Sequence, residues 1–439
     1  MAGMDEDVSR LTAAEASARL CRGDITAEQL ARACLARIAL READVRAWSF
    51  IDPDAVIRQA RELDKLPSRG PLHGMPVGVK DIFNTSDMPT QHNSPIYIGH
   101  RPNIDAAAVG TLRAAGALIL GKTDTTEFAG TGRLAATRNP HDLSRTPGGS
   151  SSGSAAAVAD FQVPLALGTQ TGGSLIRPGS YCGVYAMKPS WNAVSAEGIK
   201  LGSTTLDTPG WYGRSAADLT LMADAFALED DVPTDFTTIA DTRIAIYPTP
   251  HTLETASRDA LEMMAHRLEE AGARTVRLDL AEIFSPMQGL WDVVSRLEGR
   301  PALLNLGRLH PHLLHKEFVD RVDNVAGFTR ANLLNAYDTA ARCRVRFDQI
   351  ASEFDAVLTL SAPGEAPRAR TQGDNTLNRD WTLLHVPCIN IPVARGPNRM
   401  PIGLTLTGAR YTDRRVLAVA AAMAPLLNDG AEPWTPSAP

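Results

Sequence analysis

Two glycine-bracketed hydroxyl clusters lie close together in this chain: Thr146-Pro-Gly-Gly-Ser-Ser-Ser-Gly-Ser154 and Gly168-Thr-Gln-Thr-Gly-Gly-Ser174. Only a small-residue stretch and a short apolar segment separate them. Glycine-rich turns let backbone N–H groups converge on one cavity, because glycine accepts dihedrals that other residues avoid. A hydroxyl set among such amides has the parts of an acyl-transfer site: a nucleophile beside donors for an oxyanion. A pair of flexible Ser/Gly linkers has the same composition, but linkers are not embedded in apolar runs and helix formers as these clusters are.

A serine nucleophile needs a base. None of the ten histidines lies in either cluster, and His73, His92, His100 and His141 fall in segments read as loops. His310, His312 and His315 flank Pro311 without neighbouring carboxylates, which reads as a solvated loop or helix edge rather than a metal site. Gly149-Ser-Ser-Ser-Gly153 matches the nucleophile-elbow pattern around Ser151, yet residues 138–147 cannot supply the strand that motif requires. Gly148 to Gly153 is followed by Ser154 where a phosphate-binding loop has lysine, and no Ser-x-x-Lys occurs. Lys80 remains. It ends the apolar run Val77-Gly-Val79, where burial would pull an amine's pKa toward neutrality. Alone, the run favours a surface lysine at a strand end; joined to the two serine clusters, it favours a base.

The elements around these residues read as α/β. Capping boxes at Thr12-x-x-Glu15 and Thr26-x-x-Gln29 open two helices, and a third runs from Asp54 to about Leu66. Helices are expected at 105–115, 154–159, 216–227, 254–271, 330–354 and 413–427. Strands are expected at 117–120, 163–167, 243–247, 275–278, 356–360, 389–393 and 402–407. Alternating helices and short apolar strands imply an α/β/α sandwich with a mixed sheet between helical layers. Residues 1–439 are expected to form a single domain, with N-terminal helices over 9–66, a core over 70–215, a variable region over 280–380 and C-terminal core elements over 385–427. Residues 361–378, rich in Pro, Gly, Arg and Asn, read as an extended surface loop bordering a site.

Composition narrows the class. A 44% hydrophobic fraction supports a large core, and a net charge of −6, spread without long runs, gives no reason to expect nucleic acid or an anionic membrane as partner. Five scattered cysteines without a Cys-x-x-Cys pair favour a reducing compartment. With an acidic N-terminus and no membrane-length apolar run, the expectation is a cytoplasmic protein.

Taken together, the motifs resemble the amidase signature family. Gly74-Met-Pro-Val-Gly-Val-Lys-Asp81 is similar to its lysine segment. Gly121-Lys-Thr-Asp-Thr-Thr-Glu-Phe-Ala129, residues 148–159, residues 168–178, Leu206-Asp-Thr-Pro-Gly210 and Pro401-Ile-Gly-Leu-Thr-Leu-Thr-Gly408 fit as well. The similarity spans roughly residues 10 to 425. It implies a catalytic Ser-Ser-Lys triad of Ser174 as nucleophile, Ser150 as bridge on a cis peptide, and Lys80 as neutral base. It also implies an oxyanion hole from the N–H groups of Thr171, Gly172, Gly173 and Ser174, an acyl-enzyme intermediate, and no cofactor or metal.

The chain departs from the family pattern at Gln170, where Asp is usual, and at Ile176, where Arg is usual; the arginine stands one place later, at Arg177. The arrangement is similar to malonamidase-type members, which act on small carboxylated amides. It assigns Gln170 and Arg177 to substrate binding, with Arg177 gripping a carboxylate or carbonyl. The competing reading pairs Arg177 with a nearby carboxylate or backbone carbonyl. Function then reads as hydrolysis of a small amide. Carbamate or ester hydrolysis, and the transamidating role within a glutamine-dependent tRNA amidotransferase, are the alternatives. Oligomeric state stays open, a homodimer being unsurprising.

Overall fold

The computed structural model describes residues 7–427 apart from positions 69 and 252. Thr12 and Thr26 each close their capping box, starting helices Ala13–Arg22 and Ala27–Val45. Eleven described strands follow in the chain: β1 (Trp48–Phe50), β2 (Pro76–Lys80), β3 (Leu118–Thr123), β4 (Leu165–Gln170), β5 (Tyr185–Lys188), β6 (Thr208–Gly213), β7 (Arg243–Ile246), β8 (Arg274–Arg277), β9 (Ala356–Leu360), β10 (Cys388–Arg395) and β11 (Pro401–Thr407).

They form one sheet in the order β1-β3-β2-β4-β6-β5-β10-β11-β9-β7-β8. β2 runs parallel to β3 and β4, and β7 parallel to β8 and β9; the other pairings are antiparallel, so the sheet is mixed. Every residue of β2, β3, β4, β5, β6, β9 and β11 is buried. A strand buried along its whole length must be covered on both faces. The architecture is therefore the expected α/β sandwich, its helices enclosing a mixed sheet. No helix among the described residues is long and apolar enough to cross a membrane.

Several boundaries moved for identifiable reasons. β3 continues past Leu120 through Gly121, Lys122 and Thr123, because Lys122 is buried there with Asp81 3.1 Å away. β4 starts two residues late and runs on to Gln170, since Gly168, Thr169 and Gln170 pair with Gly210, Pro209 and Thr208 of β6. β6 itself escapes pattern reading, because proline and two glycines interrupt its alternation. Gly210 is needed at that point: a Cβ there would lie 2.2 Å from the Met187 carbonyl oxygen.

Residues 361–378 are a surface loop only in part: 368–371 and 374 are exposed and Gln372 and Asn375 line the cleft, but both ends of the segment are buried. Ser361, Ala362, Gly364, Glu365 and Ala366 are buried, and helix Thr376–Leu383 begins within the segment. Glu365 holds it down by accepting hydrogen bonds from the backbone N–H groups of Asn398 and Met400 and from the Asn398 side chain. Long polar loops stay on the surface unless their backbone groups find partners; here the Ser361 N–H donates to the Gly403 carbonyl and the Glu365 N–H to the Glu254 carboxylate.

Candidate active site

β2 and β4 are parallel neighbours, and both end at the same rim of the sheet. Lys80 closes β2; the turn Thr171-Gly-Gly-Ser174 follows β4; Ser150 and Ser151 precede helix Ser152–Ala159. Ligand sites in open α/β sheets characteristically form outside the carboxyl ends of the strands.

Lys80 has no exposed surface. Its Nζ lies 2.8 Å from Ser150 Oγ, 3.0 Å from Ser151 Oγ and 2.8 Å from Thr169 Oγ1. Among the described residues no carboxylate pairs with it. Burial holds its pKa well below the usual lysine range, while the charge of Asp207 pulls weakly the other way. Two other lysines are equally buried but differently served. Lys122 has Asp81, and Lys188 donates to the carbonyls of Pro189 and Val386. Lys80 alone of the three is surrounded by hydroxyls. The Gly149–Ser150 peptide bond is cis.

The glycine turn is fixed through its carbonyls. The Thr171 carbonyl accepts from Trp291 Nε1 at 2.8 Å, that of Gly172 from Thr382 Oγ1 at 2.8 Å, and that of Gly173 from the Arg177 backbone N–H at 3.0 Å. The N–H groups of Gly172, Gly173 and Ser174 make no hydrogen bond among the described residues, which leaves consecutive donors free at one turn. Neither Gly172 nor Gly173 takes a positive φ, so the dihedral reason expected from sequence is not the operative one. Space is. A Cβ at 172 would meet Asn375 Nδ2 at 2.6 Å and Trp291 at 3.0 Å, and one at 173 would meet Asn378 Oδ1 at 2.5 Å.

Ser174 is 7% exposed and lines a cleft whose empty volume is about 630 Å³. Thr171, Gly172, Arg177, Gln372 and Asn375 share that lining. The structure thus brings Lys80 and Ser150 into direct contact and sets Ser174 beside the free amides. No hydrogen bond joins Ser174 to Ser150 among the described residues.

Arg177 is 2% exposed and reaches the cleft, but its two terminal nitrogens donate to backbone carbonyls, Gly373 at 2.8 Å and Gly149 at 2.5 Å. Gln170 does not serve the cleft. It is fully buried; its Oε1 accepts the backbone N–H groups of Leu175 and Ile176, and its Nε2 donates to Thr382 Oγ1. The amide that replaces Asp supplies both an acceptor and a donor here, so Gln170 holds the turn, and it is not among the residues lining the cleft.

Sequence reasoning passed over Thr169, Asp207, Trp291, Thr382 and Asn375. Asp207 accepts from the Thr171 hydroxyl and from the backbone N–H groups of Gly202 and Ser203. Asp207 and Thr169 lie in motifs that sequence had singled out and Asn375 in the segment expected to border a site, whereas Trp291 and Thr382 carry no local signal.

The comparisons with known proteins agree with this architecture. The Amidase family model matches residues 29–417. A glutamyl-tRNA(Gln) amidotransferase chain of Chloroflexus aggregans is 30% identical over 476 residues, covering 93% of this chain and 95% of that one. Native peptide amidase from Stenotrophomonas maltophilia is 26% identical with a TM-score of 0.84, the match covering 98% and 99% of the two chains. A glutamyl-tRNA(Gln) amidotransferase chain from Thermotoga maritima, 24% identical with a TM-score of 0.83 over 99% of both chains, shares the fold. The chain belongs to the amidase signature family. That membership makes it an amidase or amidotransferase.

Proposed function

We propose that this chain is an amide hydrolase acting through an acyl-enzyme, with Ser174 as nucleophile, Ser150 as proton relay and Lys80 as base. The observation that carries the reading is the buried Lys80 amine 2.8 Å from Ser150 Oγ in a shell of hydroxyls. A neutral amine has two N–H donors and one lone pair. Ser151 gives its hydrogen to the Thr169 carbonyl, so it receives one N–H of Lys80, and Thr169 Oγ1 takes the other. The lone pair is left for the Ser150 hydroxyl, which in turn draws the proton of Ser174 as that oxygen attacks the amide carbon. The free N–H groups at 172–174 stabilise the resulting oxyanion, each such donor contributing about 3–4 kcal/mol to the barrier. The proton then returns along the relay to the leaving amine, and water releases the acyl group.

Arg177 is the reason to favour a small amide bearing a carboxylate. It is a buried cation at the cleft wall whose terminal nitrogens donate to the Gly373 and Gly149 carbonyls, while its Nε keeps no partner among the described residues. A substrate carboxylate would have to share it with those carbonyls. Ser174→Ala and Lys80→Met should abolish turnover of malonamate and of neutral amides while leaving the protein folded. Retained turnover in Lys80→Met removes the proposal. Carbamates and esters, which suit the same intermediate, belong in the same panel.

The second reading is glutamine-dependent transamidation with partner proteins, favoured by the amidotransferase relatives. Amide turnover by the isolated chain supports hydrolysis; glutamine turnover that requires added partner proteins supports the alternative.

A further inference from the structure

The cleft that holds Ser174 is lined by two guanidinium groups and by no carboxylate. Arg177 stands at the start of helix Ile176–Cys182; Arg321 projects from helix Lys316–Val322, far away in the chain. The rest of the lining mixes apolar side chains, among them Phe128, Trp291, Leu303 and Phe318, with neutral polar ones such as Ser295, Gln372 and Asn375.

Arg321 is poorly neutralised. Its side chain is 13% exposed, and its nearest carboxylate, Glu317, stands 3.8 Å from a terminal nitrogen, beyond hydrogen-bond distance. Arg296 shares that same carboxylate at 3.7 Å. One negative charge thus serves two cations on this wall. Asp207, the other carboxylate that influences Arg321, already has its oxygens occupied by Thr171, Gly202 and Ser203. The Arg321 Nε is buried without a hydrogen-bond partner, and the guanidinium sits 5.8 Å from the Phe318 ring centroid. A buried cation short of partners costs free energy until an anion reaches it.

We infer that Arg321 is a second anion anchor in the same cleft as Arg177, so that the favoured substrate is an amide carrying two carboxylates. The class includes a dicarboxylic acid joined through one carboxyl to the amine of an amino acid. This rests on the hydrolase reading, deepens it, and makes Arg321 a specificity residue. Binding separates the two claims, because it does not require turnover.

The experiment uses full-length Ser174→Ala protein and calorimetric titration with malonamate, which has one carboxylate, and N-malonylglycine, which has two. The dianion should bind at least about tenfold more tightly, as expected for a charge-assisted hydrogen bond. Adding Arg321→Met, which keeps the side chain's bulk, should remove that advantage, while Arg321→Lys restores part of it. Equal binding of the two ligands, or an advantage that survives Arg321→Met, overturns the inference. The hydrolase reading is decided separately, by whether the wild-type chain turns over either compound.

Discussion

Gln170 and Thr382 lock the Thr171–Ser174 turn from outside the cleft: Gln170 Nε2 donates to Thr382 Oγ1 at 3.0 Å, and that hydroxyl donates onward to the Gly172 carbonyl. The Gly172 carbonyl, and with it the orientation of the turn at 172–174, is thus tied to two buried side chains. Gln170→Leu would leave the N–H groups of Leu175 and Ile176 buried without an acceptor. Each such loss costs about 1–3 kcal/mol. We expect a lowered melting temperature and a kcat that falls more than KM rises; a variant with wild-type kcat would show that the turn holds itself.

With Lys80 as the proposed base, its titration should set the acid limb of the pH profile. Burial lowers its pKa, and only the unprotonated amine can accept a proton from Ser150. Activity should therefore rise with pH through that depressed value and level off while ordinary lysines are still charged. Stability follows the same sign. The unfolded chain binds a proton at this residue that the folded chain refuses, so stability drops as pH falls below about 10.4 toward the folded-state pKa. A kcat/KM profile whose acid limb lies in the ordinary lysine range contradicts the assignment.

Gly173 tolerates no side chain. A Cβ would sit 2.5 Å from Oδ1 of the buried Asn378, whose Nδ2 is tied to the Ser361 carbonyl at 3.0 Å and cannot swing aside. Gly173→Ala should cost about 10²–10³ in kcat, the usual consequence of displacing an oxyanion donor. Steady-state kinetics on a correctly folded variant measure it.

His385 gives a readout of acid stability away from the site. It is buried, stacks on Trp191 at 4.6 Å, and meets the Thr205 carbonyl through Nε2 at 2.7 Å. Burial first, and the charge of Arg344 second, lower its pKa from 6.5 to about 3. A depressed histidine stays neutral in the fold while the unfolded chain protonates. Stability is therefore lost as pH falls from 6.5 toward 3, by up to about 1.4 kcal/mol per pH unit from this residue. His385→Gln should flatten the urea-denaturation midpoint against pH over that interval; an unchanged slope would assign the acid sensitivity elsewhere.

The sheet rim was legible because its chemistry is concentrated in short runs. Lys80 at the end of an apolar strand, Ser150 among glycines and Ser174 after Gly172-Gly173 are each marked by immediate neighbours. Helix Ile176–Cys182 was not legible, since Arg177-Pro178-Gly179 reads as a turn; in the structure the proline sits in the first helical turn, where its missing N–H is harmless. Arg321 and Trp291 were invisible for another reason: nothing within their own segments distinguishes them from surface helix residues, and only tertiary packing brings them to the cleft. The partners of Gln170, two backbone N–H groups and the Thr382 hydroxyl, were not legible, because sequence reveals a residue's identity and not the direction its amide faces.

The parallel register of β2 and β4, with Val79 opposite Leu167, has one more consequence. Adjacent strands in a sheet stand roughly 4.8 Å apart, so the backbone ladder itself fixes how near the base segment can come to the nucleophile segment. Intervening excursions such as 98–104 contribute nothing to that spacing. Grafting extra residues there should leave the proton path intact, which makes this rim a frame on which surrounding peptide can be lengthened freely.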